Sequence, residues 1–287
     1  MDFYIRVAEG TSTGIGGGFA RILLIPLSWV YGMVIGIRHW LFDRGYFKRY
    51  RSLAPVISIG NITWGGTAKT SLVMYLSEYF LKSGRKVAVL SRGYSSDEPA
   101  LIQKRFSGRV PVFQGKDRVT IVKQIESDYS PVILDDGFQY RSIDPRLSIV
   151  LINAASPLPQ YLLPAGIYRD TLRQLGRADI VLFTATDMVS RERLQALHVV
   201  AKRFNAHAPL FNARYQAQGI STQSGDAMSI DSLRDVRLGM IASIAFPAGL
   251  RHKIQQLGLR VTREFVYPDH YRFSGNEIGR ASCRERV

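Results

Sequence analysis

The stretch Gly60-Asn61-Ile62-Thr63-Trp64-Gly65-Gly66-Thr67-Ala68-Lys69-Thr70-Ser71 has residue types and a spacing suited to holding a polyphosphate. An apolar run leads into it and a helical pattern leaves it, the setting a phosphate-binding loop requires. In such a loop, backbone N–H groups and the helix N-terminus face the anion, Lys69 reaches the β- and γ-phosphates, and the Thr70 hydroxyl holds Mg2+. The strict form of the motif has glycine where Thr63 and Ala68 stand; here Gly60, Gly65 and Gly66 supply the permissive backbone. Ala68 adds a methyl beside the phosphates. If the backbone there needs positive φ, that methyl hinders the nucleotide, and reduced ATP affinity is expected. A second candidate is Val132-Ile133-Leu134-Asp135-Asp136, two carboxylates closing an apolar run. Ligands of open α/β sheets gather at such strand ends, and one carboxylate of the pair suits a Mg2+ shell.

These groups need a sheet to hold them. From Pro55 onward, short apolar runs alternate with helix-patterned segments: PVISIG, KVAVLS, PVILDDG, LSIVLINA and DIVLFTA. Each has the length of a buried parallel strand, and together they predict a doubly wound α/β sheet of P-loop NTPase type. Behind the loop, Leu72, Val73, Leu76, Tyr79 and Phe80 recur at helical spacing up to Gly84. The sheet domain is expected over 55–212. A smaller α/β domain follows over 213–277, opened by the extended LFNARYQAQG. In it RLGMIASIAF reads as a strand, PAGLRHKIQQLG as a helix and RVTREFV as a strand.

Residues 1–54 form a lead-in containing an apolar run from Ile22 to Ile37. As a helix that run is about 24 Å long, short of a hydrocarbon core of about 30 Å. Arg21 precedes it, Arg38, Arg44, Lys48, Arg49 and Arg51 follow, and Trp29, Tyr31 and Trp40 supply amphipathic rings. The pattern predicts a helix lying on an anionic membrane surface. The 38 Lys and Arg against 23 Asp and Glu, a formal charge of +15, fit such a partner. They do not by themselves imply nucleic acid, since no recognised reader module accompanies them. The single cysteine excludes a disulfide scaffold and a cysteine-rich metal cage. Ile278–Val287, IGRASCRERV, reads as a translated sequencing adapter, so 278–287 is expected to be a non-native tail and the smaller domain to be incomplete.

With PLSWVYG, WLFDRG, VISIGNITWGGTAKTS, VLSRGY, DEP, VILDDGFQYR, LLPAGIYRD and YPDHYRF in this order, the chain resembles the tetraacyldisaccharide 4'-kinase family from about Leu23 to Glu277. The resemblance implies ATP- and Mg2+-dependent transfer of the γ-phosphoryl group to the 4'-hydroxyl of a tetraacyl glucosamine disaccharide 1-phosphate, a step of lipid A biosynthesis in Gram-negative bacteria. It places the enzyme at the cytoplasmic face of the inner membrane, as a peripheral or monotopic protein, and implies no protein partner. Carried over by motif, Lys69 and Thr70 serve phosphate and Mg2+, while Asp135 and Asp136 close the Walker B strand and Gln139 belongs to the same motif. Asp97 orients or deprotonates the attacking hydroxyl with the help of His270, and Glu98 is a second candidate at the metal. Arg92 is a phosphate or acceptor contact or a structural ion pair. Arg169, which matches the family, and Asp170, which stands where the family has Glu, are carried over as substrate contacts. Lys104, Arg105, Arg109, Lys116 and Arg118 have two readings, a face toward lipid phosphates and a solvated basic surface, and the second is preferred. The join of Ser95 and Ser96 between SRGY and DEP is unusually short for the family. Two other readings of the chain are a different membrane-associated P-loop NTPase and a catalytically impaired lipid- or nucleotide-binding relative.

Overall fold

The computed structural model describes residues 15–93, 97–156, 161–217, 220–221, 226–244, 246–267 and 271, with backbone alone at 15–21, 97 and 221. They divide into two compact units between Ala213 and Arg214. His270 and the segment 278–287 lie outside the described residues.

The first unit is built on a seven-stranded sheet, parallel throughout. Its strands are β1 (Val56–Asn61), β2 (Ala88–Ser91), β3 (Val112–Gln114), β4 (Val132–Asp135), β5 (Leu147–Asn153), β6 (Ile180–Thr184) and β7 (Leu210–Asn212), in the order β3-β2-β4-β1-β5-β6-β7. Every residue of β1 and β4 is buried, as expected for central parallel strands covered on both faces. Alternation along β1 shows the two covers. Ile57 and Ile59 pack with Val73 of α2 (Lys69–Lys82), whereas Val56 packs with Val122 of α4 (Arg118–Ile125). Strands run outward from β1 in both directions, through β4 to one edge and through β5 to the other. That reversal of order opens a crevice at their carboxyl ends.

The first helix, α1 (Ile15–Asp43), is longer than its apolar run suggests: 29 residues, or about 43 Å. Ile22–Asp43 is long and apolar enough by composition to cross a membrane, so the expectation of too short a segment is corrected. The helix continues because Arg38, His39 and Asp43, which look in sequence like a polar stop, find partners on the sheet unit. Other local differences concern β3 and β7, edge strands of three residues that are too short for a periodicity to reveal. The opening of LFNARYQAQG pairs with β6 in the large sheet instead of starting the second unit. Tyr79 of α2, expected on the inner face, is exposed; the buried stripe passes through Val73 and Ser77.

In the second unit β8 (Ile220–Ser221) and β9 (Ala227–Met228) form a short antiparallel pair. The parallel strands β10 (Leu238–Ala242) and β11 (Val261–Val266) are joined by α6 (Pro247–Gln256). Pro247 opens that helix, where its missing N–H costs nothing, and Gly258 at φ +73° turns the chain out of it. The other α-helices among the described residues of the first unit are α3 (Asp97–Arg105) and α5 (Arg191–Phe204).

Candidate active site

β1 delivers the chain into the loop 62–68, and Lys69 opens α2 directly behind it. The glycines do different work. A Cβ on Gly60 would stand 2.5 Å from Cβ of Phe138, so this glycine lets β1 and the turn after β4 approach each other. Gly65 has φ +106° with open space around it and serves the bend itself. Ala68, the residue before α2, is in the left-handed region at φ 69° and ψ 24°. The condition attached to its methyl is met: this backbone disfavours any L side chain.

The loop is braced by buried polar groups at strand ends. Asn61 donates from Nδ2 to Thr67 Oγ1 at 2.8 Å, and Gln139 Nε2 donates to the carbonyl of Asn61 at 2.6 Å. Asn153, ending β5, donates to the carbonyl of Gly66 at 3.0 Å, and Thr184, ending β6, donates to that of Thr67 at 3.4 Å. Sequence reading missed Asn153 and Thr184. The available signal was a polar residue closing each of two apolar strands, where sheets of this class keep their ligands.

Lys69, Asp136 and Arg169 come together at the crevice. Arg169 donates two hydrogen bonds to the Asp136 carboxylate, at 2.8 and 2.6 Å, and also reaches Oδ1 of Asn61. Lys69 Nζ lies 3.6 Å from the same carboxylate. Burial works against the charge on Asp136, but the Arg169 hydrogen bonds and the positive charges of Arg169, Lys69 and Arg118 hold its carboxyl down at about 2. Asp135 is the opposite case. It is buried, among the described residues its Oδ1 has no hydrogen-bond partner, and desolvation followed by the negative charge of Glu98 raises its carboxyl to about 7. Thr70 Oγ1 donates to Glu98 Oε1 at 2.7 Å, which ties α2 to the start of α3. Glu98 occupies the first turn of α3, directly after Asp97, which begins that helix. Ser71 lies in the first turn of α2, and Arg92 is exposed beyond the end of β2.

Two positions differ from expectation. Arg118 is no solvated cation: it is buried, donates from Nη1 to the carbonyls of Asp135 and Asp136 at 3.1 and 3.3 Å, and lies 4.2 Å from the Tyr140 ring centre. It fixes the turn after β4, where Asp136 takes φ 49°. Asp170 is also buried, and its carboxylate is committed within the protein, to His39 Nε2 at 2.9 Å, the Thr171 N–H at 2.9 Å and Arg177 at 3.5 Å. Its backbone N–H shares the Ile62 carbonyl with that of Arg169. Among the described residues no group of three or more His, Cys, Asp or Glu forms a metal cage. The arrangement instead suits a cation shared between one or two carboxylates and a bound phosphate.

Comparison with known proteins gives a consistent set of relatives. The sequence model of the tetraacyldisaccharide-1-P 4'-kinase family matches residues 20–96 and 95–286, and the two matches meet at Ser95 and Ser96, the short join. The tetraacyldisaccharide 4'-kinase of Anaeromyxobacter sp. (strain K) is 33% identical over 91% of this chain and 76% of its own length. That of Bdellovibrio bacteriovorus is 29% identical over 90% and 82%. Among solved structures, the "apo" form of LpxK from Aquifex aeolicus in complex with ATP superposes with a TM-score of 0.69 at 27% identity, covering 89% of this chain and 84% of that one.

Proposed function

The chain belongs to the tetraacyldisaccharide-1-P 4'-kinase family, and on that premise we propose that it transfers the γ-phosphoryl group of ATP to the 4'-hydroxyl of a tetraacylated disaccharide 1-phosphate, the lipid A precursor. The observation that carries this reading is the Lys69–Asp136–Arg169 cluster at the N-terminus of α2. Loose phosphoryl-transfer transition states are stabilised mainly by charge placed in advance, and this cluster places two cations at the mouth of an anion-binding helix. When a triphosphate arrives, its oxygens compete with Asp136 for Lys69, while Arg169 keeps the carboxylate charged and in place.

The residues present fit Mg2+. The bare, buried Oδ1 of Asp135 and the unfavourable crowding of Asp135 with Glu98 are the features a divalent cation would relieve. Both oxygens of Asp136 already receive Arg169, so Asp135, Thr70 and Glu98 are the fitting ligands. When bound there, the ion would neutralise charge developing on the phosphates. Asp97 is placed by the backbone at the first turn of α3 and is proposed to accept the proton of the 4'-hydroxyl as its oxygen bonds to the γ-phosphorus and ADP departs. His270 is proposed as its helper.

Membrane attachment is proposed through α1. Ile22, Leu23, Leu27, Trp29, Val30, Met33, Val34, Ile37 and Trp40 are all exposed, while the opposite side of the helix is bonded to the sheet unit from Ser28 to Asp43. A helix held along its length in this way lies along a surface, its free apolar side in the headgroup layer and Trp40, Tyr46 and Arg44 at its end. The side with access to ATP is the cytoplasmic one.

The test is to give the purified protein Mg-ATP and the detergent-dispersed disaccharide 1-phosphate and to look for the bisphosphate by mass spectrometry. Appearance of the bisphosphate, and its loss in Lys69→Met, supports the kinase. ATP consumption with no phosphorylated lipid would instead make the chain another P-loop NTPase.

A further inference from the structure

We propose that α1 is part of the phosphoryl-transfer machinery as well as its attachment: Tyr31 and His39 are positioning residues that act through the segment 161–170 on Arg169, and through Arg169 on Asp136 and Lys69, while Arg38 acts through Gln139 on the start of the phosphate loop. The proposal rests on the kinase reading above and adds to it a mechanical link between the lipid-facing helix and the nucleotide site.

The segment 161–170 is bonded on two sides. On one side is α1. Ser28 Oγ donates to the carbonyl of Leu162 and accepts from the N–H of Ala165, both at 2.9 Å. Tyr31 donates its hydroxyl to the carbonyl of Arg169 at 2.8 Å, and His39 bonds Asp170. A Cβ on Gly32 would come within 2.9 Å of Leu162 Cδ1, so helix and segment touch closely here. On the other side is the first half of the phosphate loop. The N–H of Trp64 bonds the carbonyl of Ile167 at 2.7 Å, and the carbonyl of Ile62 accepts from the N–H groups of Arg169 and Asp170 at 2.8 and 3.2 Å. Arg169 leaves this double seam to clamp Asp136, which in turn holds Lys69.

A second strand of contacts runs in parallel. Arg38 donates to the carbonyl of Gln139 at 2.8 Å, and Gln139 donates to the carbonyl of Asn61 at the start of the loop. His39 is itself oriented. Arg141 can only donate, so its contact with Nδ1 at 3.0 Å makes that nitrogen the acceptor and leaves Nε2 to carry the proton given to Asp170. Arg141 is held by Asp43 at 2.5 Å, one helical turn further along α1.

Polar seating of this kind fixes position more sharply than apolar contact, because each bond names one atom. Phosphoryl transfer is sensitive to displacements of less than an ångström in its charged groups. A helix that served for attachment alone would need none of these bonds to the carbonyls and carboxylate beside Arg169.

The experiment is a double-mutant cycle on the full chain, with kcat measured on the dispersed disaccharide and ATP affinity measured directly. Tyr31→Phe removes one hydroxyl and keeps the ring; it is expected to lower kcat about fivefold and weaken ATP about threefold. In an Arg169→Ala background the same change is expected to alter either quantity by less than about 1.5-fold, since its effect passes through the missing side chain. His39→Ala is expected to lower kcat about 20-fold, and His39→Gln, which keeps a donor toward Asp170 and an acceptor toward Arg141, to recover most of it. Binding of Tyr31→Phe to anionic vesicles is expected to match the parent.

Equal losses from Tyr31→Phe in both backgrounds would overturn the proposal, as would a fall in melting temperature with kcat and ATP affinity unchanged. Should His39→Ala fail to fold, the Tyr31 cycle decides. Should the parent phosphorylate no disaccharide, the kinase reading falls, and the ATP-affinity arm of the cycle still judges the link.

Discussion

Helices α1 and α2 lie against the same sheet unit with opposite polarity. α2 is an ordinary layer helix: Val73 is fully buried, and Leu72, Met74, Leu76 and Phe80 pack around it against the sheet, while Tyr75 and Tyr79 face outward. α1 turns Ser28 and His39 inward, and its outer surface carries Trp29 at 70% and Met33 at 61% exposure. A helix that buries its polar side gains little from the hydrophobic effect in water, so its apolar side calls for another solvent. The inner bonds of α1 then have to set its geometry, which in α2 is set by core packing.

The largest effect should come from the end of α2. Lys69→Met removes the cation aimed at the phosphates, and kcat should fall by about 10²–10³-fold, as for loss of one preorganised charge-stabilising donor. Binding to anionic vesicles should be unchanged. If vesicle binding fell equally, the division of labour between the two helices would be wrong.

Next comes the outer side of α1. Met33→Glu puts a charge in the middle of the exposed apolar stripe and should reduce partitioning onto anionic vesicles about tenfold, read by co-sedimentation. The same change at Tyr75 on the exposed side of α2 should leave partitioning within about twofold. Equal losses at the two sites would mean that the lipid surface does not select α1.

A smaller effect concerns pH. Asp136 sits at about 2 in the folded protein, below the ordinary value of about 3.9 for an unfolded chain. Its stabilising contribution is therefore complete above about pH 4 and is lost as pH falls from there toward 2. Arg169→Ala removes the main cause of the depression. The stability gap between parent and variant, measured by denaturant unfolding, should be constant from neutrality to about pH 5 and narrow below pH 4. A gap independent of pH down to 2 would mean that Arg169 does not hold this charge.

What could be read from sequence follows the distance over which each feature is specified. The phosphate loop and the Asp135–Asp136 strand end are local: a few adjacent residues fix strand, bend and helix, and the five long strands announce themselves as unbroken apolar runs. The seating of α1 is not local. Ser28 meets Leu162, 134 positions away, and His39 meets Asp170, 131 away. Half of these partners are backbone atoms, which have no sequence signature. Arg118 escaped notice for a related reason. In the string it is one more cation beside Lys116, and only the fold shows that the carbonyls of Asp135 and Asp136 are its acceptors. The length of α1 was obscured because Arg38, His39 and Asp43 look like a polar terminus until their partners are known.

Ala68 offers the smallest effect and the sharpest contrast within α2, whose body is conventional and whose first residue follows a strained one. At φ 69° and ψ 24° an alanine costs about 1 kcal/mol relative to glycine. That cost is carried whether or not a nucleotide is bound, so Ala68→Gly should first raise the melting temperature by about 2–4 °C. A gain in ATP affinity requires more, namely that the methyl hinders the approach of phosphate to the N–H groups of the bend. If the Ala68→Gly variant melts higher and binds ATP no better, the methyl points away from the ligand and the strain is purely a matter of folding. If it melts higher and binds more tightly, the methyl faces the cradle. If the melting temperature does not rise at all, the left-handed geometry at this residue is not the one the folded chain adopts, and the bend ahead of Lys69 must be drawn differently.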